Sequence, residues 1–367
     1  MSPIFKLPSV SVGYELFAFF GSSDDRWTPE LYGLEFTANR GSETVRGFLE
    51  RSRSDSLTIV HGDDLLAEWR TEGFDEGQVH LIFSVTKSVT AMLAGALVRA
   101  AGLDVEALVT RYVPEVADSA FGDATVRNLL DMVVGMRFVE DYTPGPDVRD
   151  YRYAVGWYPA PWDAPRLHEF LRSREKEGEH GQRFRYLSPV TDMLGWVCEV
   201  VGGMPYHRAL SQLVWQPMGA EHEANMTLDR DGSPRAAGGL SVLPRDMARF
   251  GMLVRDGGLG AIDEAFLADV FTGGSHEQWA IGEWQISRVY SVLGDGPSAH
   301  AHAQQCLELS LRDGVDDFVE ASAHEALARA LAVCGDMDGA RRERDLAYAL
   351  AVALDDDDDR AVVESDL

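Results

Sequence analysis

The sequence predicts an α+β domain over residues 1–275, followed by an all-α segment of helical hairpins over residues 280–367. Three observations support this prediction. Two short segments around residue 62 have the pattern of a β-hairpin, and an apolar segment with helical spacing, Val85–Ala101, follows them. After residue 275 the chain becomes rich in alanine and contains an internal repeat. A chain of 367 residues is long enough for both parts to bury cores of their own.

The hairpin is predicted over residues 56–70, where two short strand-like runs flank the turn sequence Gly62-Asp63-Asp64. In Val85–Ala101 apolar residues recur at helical spacing, and Gly102 stands where a helix commonly ends. Ser84 therefore lies at the entrance of a predicted helix. Further helices are predicted at Val126–Met132, Thr191–Val201, Arg208–Trp215 and Arg245–Arg255.

The longest predicted loop, Asp141–Pro165, is unusually rich in aromatic side chains. Long structured loops often act as lids or as walls of a binding site. The same aromatics could instead cover an edge of the core, and the sequence leaves both interpretations open. The six aromatic residues are Tyr142, Tyr151, Tyr153, Trp157, Tyr158 and Trp162.

The internal repeat relates Arg288–Leu309 to Arg329–Leu350 by a shift of 41 positions. The shift superposes Gly294-Asp295 on Gly335-Asp336. A helix, a Gly-Asp turn and a second helix at this period are typical of stacked helical hairpins, and the segment resembles a short tetratricopeptide-like array. An array of only two such units is usually too short to be stable on its own. We expect the segment to dock on the first domain, to self-associate or to be the remnant of a longer array. Binding of a protein partner is the usual use of such surfaces, and a purely structural role is equally open.

The formal net charge of −27 argues against nucleic-acid binding, because affinity for phosphate backbones comes largely from clustered Lys and Arg. Part of the negative charge lies in Asp355–Asp359. We interpret this run as a solvated tail that frays the last helix, in preference to a divalent-ion site.

Neither a signal peptide nor a membrane span is predicted. The first residues, Met1–Lys6, do not lead into an apolar segment, and the most apolar stretch, Ala91–Val98, is too short to cross a bilayer. The cysteines Cys198, Cys306 and Cys334 are far apart and lack CxxC spacing, so we expect buried, unpaired thiols and no metal site. These features predict a cytoplasmic protein without a membrane or nucleic-acid partner.

The string Ser84-Val85-Thr86-Lys87 has the residues of an activated nucleophile. Residues three apart on a helix share a face, which brings the Lys87 amine within reach of the Ser84 hydroxyl. Burial and the positive end of the helix both disfavour the ammonium and lower the lysine pKa, so the amine can accept a proton. Ser173-Arg174-Glu175-Lys176 fits the same string, but its charged surroundings predict a hydrated, protonated lysine.

Several stretches resemble motifs of serine β-lactamases and penicillin-binding proteins. Phe83–Thr90 is similar to the first motif, and Phe184–Pro189, followed by Asp192–Trp196, is similar to the Tyr-x-Asn motif with Ser188 in place of the asparagine. Trp215–Ala220 and Gly238–Ser241 also match. The resemblance covers residues 40–275 and is nearest to the 6-aminohexanoate-dimer hydrolase and carboxylesterase branch. It implies a β-lactamase/transpeptidase-like fold.

The resemblance also implies roles for individual residues. Ser84 would be the nucleophile, Lys87 its activating base and Tyr186 a second proton carrier. Tyr142 corresponds to a loop tyrosine that closes over substrate, and Ser188 would contribute to substrate binding. No metal or organic cofactor is implied.

One part of the family pattern is missing from the sequence. Members continue with three antiparallel strands, the first carrying Lys-Thr-Gly or His-x-Gly and one backbone N–H of the oxyanion hole. Phe271-Thr272-Gly273 and Ala280-Ile281-Gly282 lack the basic residue. Without these strands we expect the hairpin of residues 56–70 to be the main remaining piece of sheet.

Two hypotheses about function follow. The first is a serine hydrolase that cleaves amide or ester bonds of a small substrate through an acyl-Ser84 intermediate, impaired by loss of the third motif. The second is a non-catalytic, hydrolase-like scaffold that carries a helical-repeat module for protein interaction.

Overall fold

The structure is a computed structural model. It describes residues 4–7, 32–33, 35–38, 41–75, 77–140, 145–272, 276–292, 294–312 and 315–366. The chain folds into two compact units. The first comprises Met1–Leu130, Met136–Glu177 and Leu187–Ala268, and the second comprises Asp131–Gly135, Gly178–Tyr186 and Asp269–Leu367. The second unit thus includes two short segments from the middle of the chain, which no sequence pattern predicts.

The described strands all belong to the first unit and pair antiparallel. Strands β1, β7, β8 and β6 form a four-stranded sheet in that order, while β2–β3 and β4–β5 form two-stranded sheets. The strands are β1 (Ile4–Leu7), β2 (Glu35–Ala38), β3 (Gly41–Thr44), β4 (Ser56–His61), β5 (Asp64–Arg70), β6 (His80–Leu81), β7 (Ala224–Thr227) and β8 (Leu240–Val242).

The predicted hairpin is confirmed as β4 and β5. Gly62 occupies the turn with a φ of 59°, in the left-handed region that glycine adopts without steric cost. Along β5 the side chains of Leu65, Ala67 and Trp69 are buried and alternate with more exposed ones, as expected of a strand with one face on a core.

The expectation that this hairpin is the main piece of sheet is wrong. The first unit also contains the four-stranded sheet, and its strand β6 leads directly into Ser84. The neighbour of β6 is β8, which extends the pairing through a hydrogen bond from Ile82 N to Leu240 O at 2.9 Å. Strands of two to four residues are too short to show alternation in the sequence, so the sheet left no readable pattern.

Nine α-helices are described between residues 45 and 272. They are α1 (Val45–Arg51), α2 (Val85–Ala101), α3 (Val126–Leu130), α4 (Pro146–Ala154), α5 (Leu167–Arg172), α6 (Ser188–Gly202), α7 (Tyr206–Leu210), α8 (Pro244–Arg255) and α9 (Glu264–Thr272). Helix α2 has the predicted bounds and ends at Gly102, whose φ is 68°. Its apolar face is fully buried, with Val89, Leu93 and Ala96 each at 0% exposure.

The segment predicted as the longest loop contains helix α4. Tyr151 on this helix is buried and packs against Phe138 and Phe170 with ring centroids 5.6 and 5.3 Å away. Trp162, in contrast, is 86% exposed. Tyr151 therefore agrees with the interpretation that these aromatics cover an edge of the core, while the lid or binding-wall interpretation stays a prediction.

The described residues of the second unit beyond residue 275 contain helices and turns and no strand. The helices are α10 (His276–Val292), α11 (Gly296–Ser310), α12 (Asp317–Cys334), α13 (Met337–Ala353) and α14 (Asp357–Asp366). Helices α10 to α12 share a core that includes Trp284, Ala303, Leu309 and Leu327.

The predicted internal repeat is visible in the two interhelical turns. Gly294 and Gly335 have φ values of 76° and 86°, and each is followed by an aspartate that caps the next helix. Asp295 accepts from Ser298 N at 3.1 Å and Asp336 from Gly339 N at 2.9 Å. The same sequence thus forms the same turn and N-cap in both hairpins.

Two His–Glu pairs also follow the repeat, but with their partners exchanged. Glu283 Oε2 lies 2.6 Å from His302 Nδ1, and His324 Nδ1 lies 2.7 Å from Glu343 Oε2. The same shift of 41 positions relates residue 302 to 343 and, just before the start of the repeat, residue 283 to 324. Both hairpins therefore have a His–Glu contact between the same two positions, but the histidine and the glutamate are exchanged.

The cysteine prediction is correct for Cys198 and Cys306, which are buried and unpaired. It is wrong for Cys334, which is exposed because it ends helix α12 just before the Gly335 turn. Of the helices in the described part of the chain, none is both long and apolar enough to cross a membrane.

Candidate active site

Ser84 is presented by a tight turn between β6 and α2. Phe83 has a φ of 43°, a left-handed conformation that costs a bulky residue about 1–2 kcal/mol. Hydrogen bonds from Val85 N to Ile82 O and from Thr86 N to Phe83 O, at 3.1 and 2.9 Å, close the turn. The result is an exposed Ser84 side chain at the N-terminus of a buried helix.

Lys87 lies one helical turn further on, with its amine directed at Ser84. Lys87 Nζ is 3.1 Å from Ser84 Oγ and donates to Ala237 O at 2.8 Å. The residue is only 9% exposed. Burial, together with the nearby positive charge of Arg235, lowers the Lys87 pKa from 10.5 to about 8 against the opposing charges of Asp192 and Glu140. The amine is therefore a usable base near neutral pH.

Two threonines attach α2 to the start of β8 and to the loop before it. Thr90 Oγ1 donates to Ala236 O at 2.8 Å, and Leu240 N donates to Thr86 Oγ1 at 3.3 Å. Both threonines are fully buried. These bonds hold the segment 236–240 against the helix that carries Ser84 and Lys87.

A buried ionic cluster lies on the other side of this segment. Asp192 of helix α6 accepts from Ala237 N at 2.8 Å through Oδ1, and from Arg235 Nη1 at 2.7 Å through Oδ2. The Tyr151 hydroxyl donates to Asp192 and accepts from Arg235. The Arg235 guanidinium also stacks over the rings of Tyr151 and Trp157, at 4.6 and 5.0 Å.

Ser188, the first residue of α6, is buried against Glu140. Its hydroxyl donates to Glu140 Oε1 at 2.5 Å, and its backbone N–H donates to Glu140 Oε2. The Glu140 carboxylate also raises the pKa of Lys87 through its charge. The predicted role of Ser188 in substrate binding stays a prediction, with this carboxylate as its partner in the structure.

Of the two tyrosines with predicted roles, the structure describes Tyr186 but not Tyr142. Tyr186 is 39% exposed and belongs to the second unit, so its role as a proton carrier stays a prediction. Tyr142 lies outside the described residues.

The backbone N–H of Ser84 is suited to stabilise an oxyanion. It makes no hydrogen bond to any residue that the structure describes, and it lies at the positive end of α2.

Sequence reasoning gave no role to Glu140, Asp192 or Arg235. The signal that could have indicated Arg235 is its place directly before the run of small residues Ala236–Gly239, where a close approach of backbones is expected. The interpretation of Ser173 and Lys176 as unrelated to chemistry agrees with their contacts. Ser173 Oγ donates to Phe170 O, and Lys176 Nζ pairs with Asp123 at 2.5 Å.

An exposed serine at a helix N-terminus with a buried lysine one turn away is the arrangement of the Ser-x-x-Lys acyl enzymes. A family model described as "Beta-lactamase" matches residues 42–284, so the chain belongs to the β-lactamase family.

Individual relatives agree with this assignment. A 6-aminohexanoate-dimer hydrolase from Paenarthrobacter ureafaciens is 34% identical over 235 residues, which are 62% of this chain and 60% of that protein. The match thus spans about three fifths of the relative's length.

Solved structures show the shared fold. A Bacillus anthracis protein provisionally named as a 6-aminohexanoate-dimer hydrolase has a TM-score of 0.62 at 21% identity, covering 75% of this chain and 72% of its own. EstCE1, described as a hydrolase with promiscuous acyltransferase activity, has a TM-score of 0.50 at 18% identity, covering 64% and 78%.

Proposed function

We propose that this protein is a serine hydrolase that cleaves amide or ester bonds of a small substrate through an acyl-Ser84 intermediate. The observation that carries the proposal is the 3.1 Å contact between Ser84 Oγ and the buried Lys87 amine. An amine with a pKa of about 8 is partly unprotonated at neutral pH and can take the hydroxyl proton.

The reaction divides into two steps. Ser84 Oγ attacks the substrate carbonyl while Lys87 takes its proton, and the carbonyl oxygen becomes an oxyanion facing the Ser84 N–H. Collapse of this intermediate breaks the bond to the amine or alcohol, which leaves with the proton taken from Ser84, and Ser84 stays acylated. Water then attacks the acyl group, the ester bond to Ser84 breaks to release the carboxylic acid, and the proton lost by the water returns to Ser84 Oγ. We assign the proton delivery to the leaving group to Tyr186, on its resemblance to the family motif.

The proposed substrate class is based on the names of the relatives, because the site alone does not distinguish between amides and esters. The relative from Paenarthrobacter ureafaciens is named for the 6-aminohexanoate dimer, so a short linear amide is the first compound to test. Loss of one oxyanion donor typically costs about 10²- to 10³-fold in turnover, and we expect slow turnover if the missing third motif has no substitute. The cytoplasmic setting predicted from the sequence stays a prediction.

Labelling with a fluorophosphonate probe tests the proposal. Wild type should be labelled on the peptide that contains Ser84 and should hydrolyse p-nitrophenyl esters. Ser84→Ala should lose both, with ester turnover falling at least about 10³-fold to background. Lys87→Arg should behave similarly, because the guanidinium keeps the charge but cannot accept a proton.

Ser173→Ala is the matched control, since Ser173 belongs to the second Ser-x-x-Lys string and should leave labelling unchanged. The scaffold is the rival function, favoured by the absence of strands among the described residues after 275. A folded wild-type protein that is not labelled, or that is labelled equally after Ser84→Ala, would support the scaffold.

A further inference from the structure

The second hydrogen bond of the Lys87 amine reaches a distant part of the chain. Its acceptor is the carbonyl of Ala237, in the loop between β7 and β8. Ser84 and Lys87 belong to one helix, so their spacing is fixed by helix geometry. The direction in which the flexible lysine side chain points is not fixed in this way, and the hydrogen bond to the Ala237 carbonyl helps to fix it.

Ala237 is held from its other side by Asp192. The Ala237 N–H donates to Asp192 Oδ1 at 2.8 Å, while its C=O accepts from Lys87. The carboxylate of helix α6 therefore positions the residue against which the amine rests. Asp192 is only 2% exposed, so this carboxylate is held away from water.

Arg235 in turn holds Asp192. Its Nη1 donates to Asp192 Oδ2 at 2.7 Å, and Arg235 is 5% exposed. The rings of Tyr151 and Trp157 enclose the guanidinium, which restricts its movement. A buried carboxylate and a buried guanidinium that are hydrogen-bonded to each other compensate each other's charge, whereas either one alone would be costly.

We propose that Asp192 and Arg235 are positioning residues for the nucleophile, which keep the Lys87 amine aimed at Ser84 by fixing Ala237. The inference rests on the proposed function, because it gives these residues a purpose only if Lys87 acts on Ser84. Neither residue touches Ser84, and both act through Ala237 and through their charges.

Their charges act on Lys87 in opposite directions. Arg235, from the loop before β8, lowers the Lys87 pKa, whereas Asp192 from α6 and Glu140 from the segment before α4 raise it. The Tyr151 phenol faces the same cluster and stays neutral, since burial raises its pKa well above the usual value. Removing the Asp192 charge should therefore lower the Lys87 pKa, and removing the Arg235 charge should raise it. These opposite shifts report the two charges, whereas double variants of equal net charge report the hydrogen bonds that fix Ala237.

The chain has three lysines, Lys6, Lys87 and Lys176, which makes a direct titration feasible. Lysine labelled with ¹³C at Cε gives three NMR signals, and Lys6→Arg and Lys176→Arg assign the two outside the site. The chemical shift of the Lys87 signal followed against pH gives the pKa of its amine. This readout does not depend on whether Ser84 reacts.

The test compares Asp192→Asn and Arg235→Gln with wild type. We expect the Lys87 pKa to fall by about 0.5–1 unit in Asp192→Asn and to rise by about as much in Arg235→Gln. Arg137→Gln, which removes an exposed arginine paired with Glu175, is the matched control and should leave the pKa unchanged. Shifts of the same sign in both variants, or shifts no larger than in the control, would overturn the proposal.

Charge-balanced double variants keep the test valid if a single variant fails to fold. Asp192→Asn with Arg235→Gln keeps hydrogen-bonding groups at both positions, so the Lys87 pKa should stay within about 0.3 unit of wild type. Asp192→Ala with Arg235→Ala releases Ala237, and the hydrated amine should move by about a unit or more towards 10.5. Equal pKa values in the two doubles would contradict the proposal.

Fluorophosphonate labelling of the same proteins separates this inference from the proposed function. If the variants show the predicted pKa shifts but wild type is not labelled at Ser84, the positioning of the amine is retained and the hydrolase is refuted. Ser84-dependent labelling with no opposite shifts would retain the hydrolase and refute the positioning roles.

Discussion

At the scale of single residues, the site combines a strained turn with a buried amine, and both reduce stability. Phe83 holds a left-handed conformation, and Lys87 places an ammonium where water is scarce. Proteins tolerate such costs mainly where function requires them. The Ser84–Lys87 pair was predictable from sequence because its two members lie within one helical turn. Asp192, Arg235 and Glu140 reach the site through long-range contacts that no local pattern reveals.

Lys87→Met should stabilise the protein at pH 7. The folded state lowers the Lys87 pKa from 10.5 to about 8, so below pH 8 folding must bury an ammonium that the unfolded chain keeps in water. Replacing it with an apolar side chain of similar length should raise the free energy of unfolding by about 1–3 kcal/mol, after the lost hydrogen bond to Ala237 is counted.

The stability difference should depend on pH with a defined sign. As pH rises from about 8 towards 10.5, wild type loses the penalty because Lys87 is neutral in both states, and the advantage of Lys87→Met should shrink. Urea unfolding of both proteins at several pH values measures this. A Lys87→Met protein that is less stable than wild type at pH 7 would show that the amine is not buried as described.

At the scale of secondary-structure elements, the longer helices and strands are predictable from the sequence and the shortest strands are not. Helix α2 and the β4–β5 hairpin carry several periods of their pattern, and both were predicted closely. Strands β6, β7 and β8 have two to four residues, and their pairing depends on partners far away in the sequence. The sequence therefore indicated where the nucleophile helix begins but not the sheet that presents it.

Close packing of α6 against the loop before β8 gives a second prediction. A Cβ added at Gly195 of α6 would lie 2.5 Å from the Ala236 Cβ, next to the residue that holds Lys87. Gly195→Ala should therefore displace this loop, lower the free energy of unfolding by about 1–3 kcal/mol and slow Ser84 labelling.

Gly251→Ala in helix α8 is the matched control. A Cβ there meets nothing within 4 Å, and the higher helix propensity of alanine should stabilise the protein by about 0.5–1 kcal/mol. Chemical denaturation of both variants measures the contrast. If Gly195→Ala is as well tolerated as Gly251→Ala, the packing between α6 and the loop is looser than described.

At the scale of the whole molecule, the two units differ in how their sequences determine them. The helical unit contains the same turn and N-cap twice. Comparing the sequence with itself at a shift of 41 positions therefore reveals the repeat. The first unit is specified by interactions between distant segments, and resemblance to a family was needed to predict its fold.

The net charge of −27 leads to a prediction for the whole chain. Repulsion among like charges destabilises compact states, and salt screens it. The Tm should rise by about 3–6 °C between roughly 0.02 and 0.5 M NaCl. Sodium perchlorate at low ionic strength, matched to that of the NaCl samples, is the control for screening. If screening is the cause, perchlorate should raise the Tm as NaCl does. A Tm that falls in both salts would mean that ion pairs outweigh the net repulsion.

The central claim is that the Lys87 amine activates Ser84, and the pH dependence of Ser84 labelling tests it most directly. The rate of fluorophosphonate labelling, measured by mass spectrometry of the Ser84 peptide, should rise as Lys87 loses its proton and reach half its maximum near pH 8. A rate that does not change between about pH 6.5 and 9.5 would contradict the claim, because a base with this pKa must change its protonation state across that range.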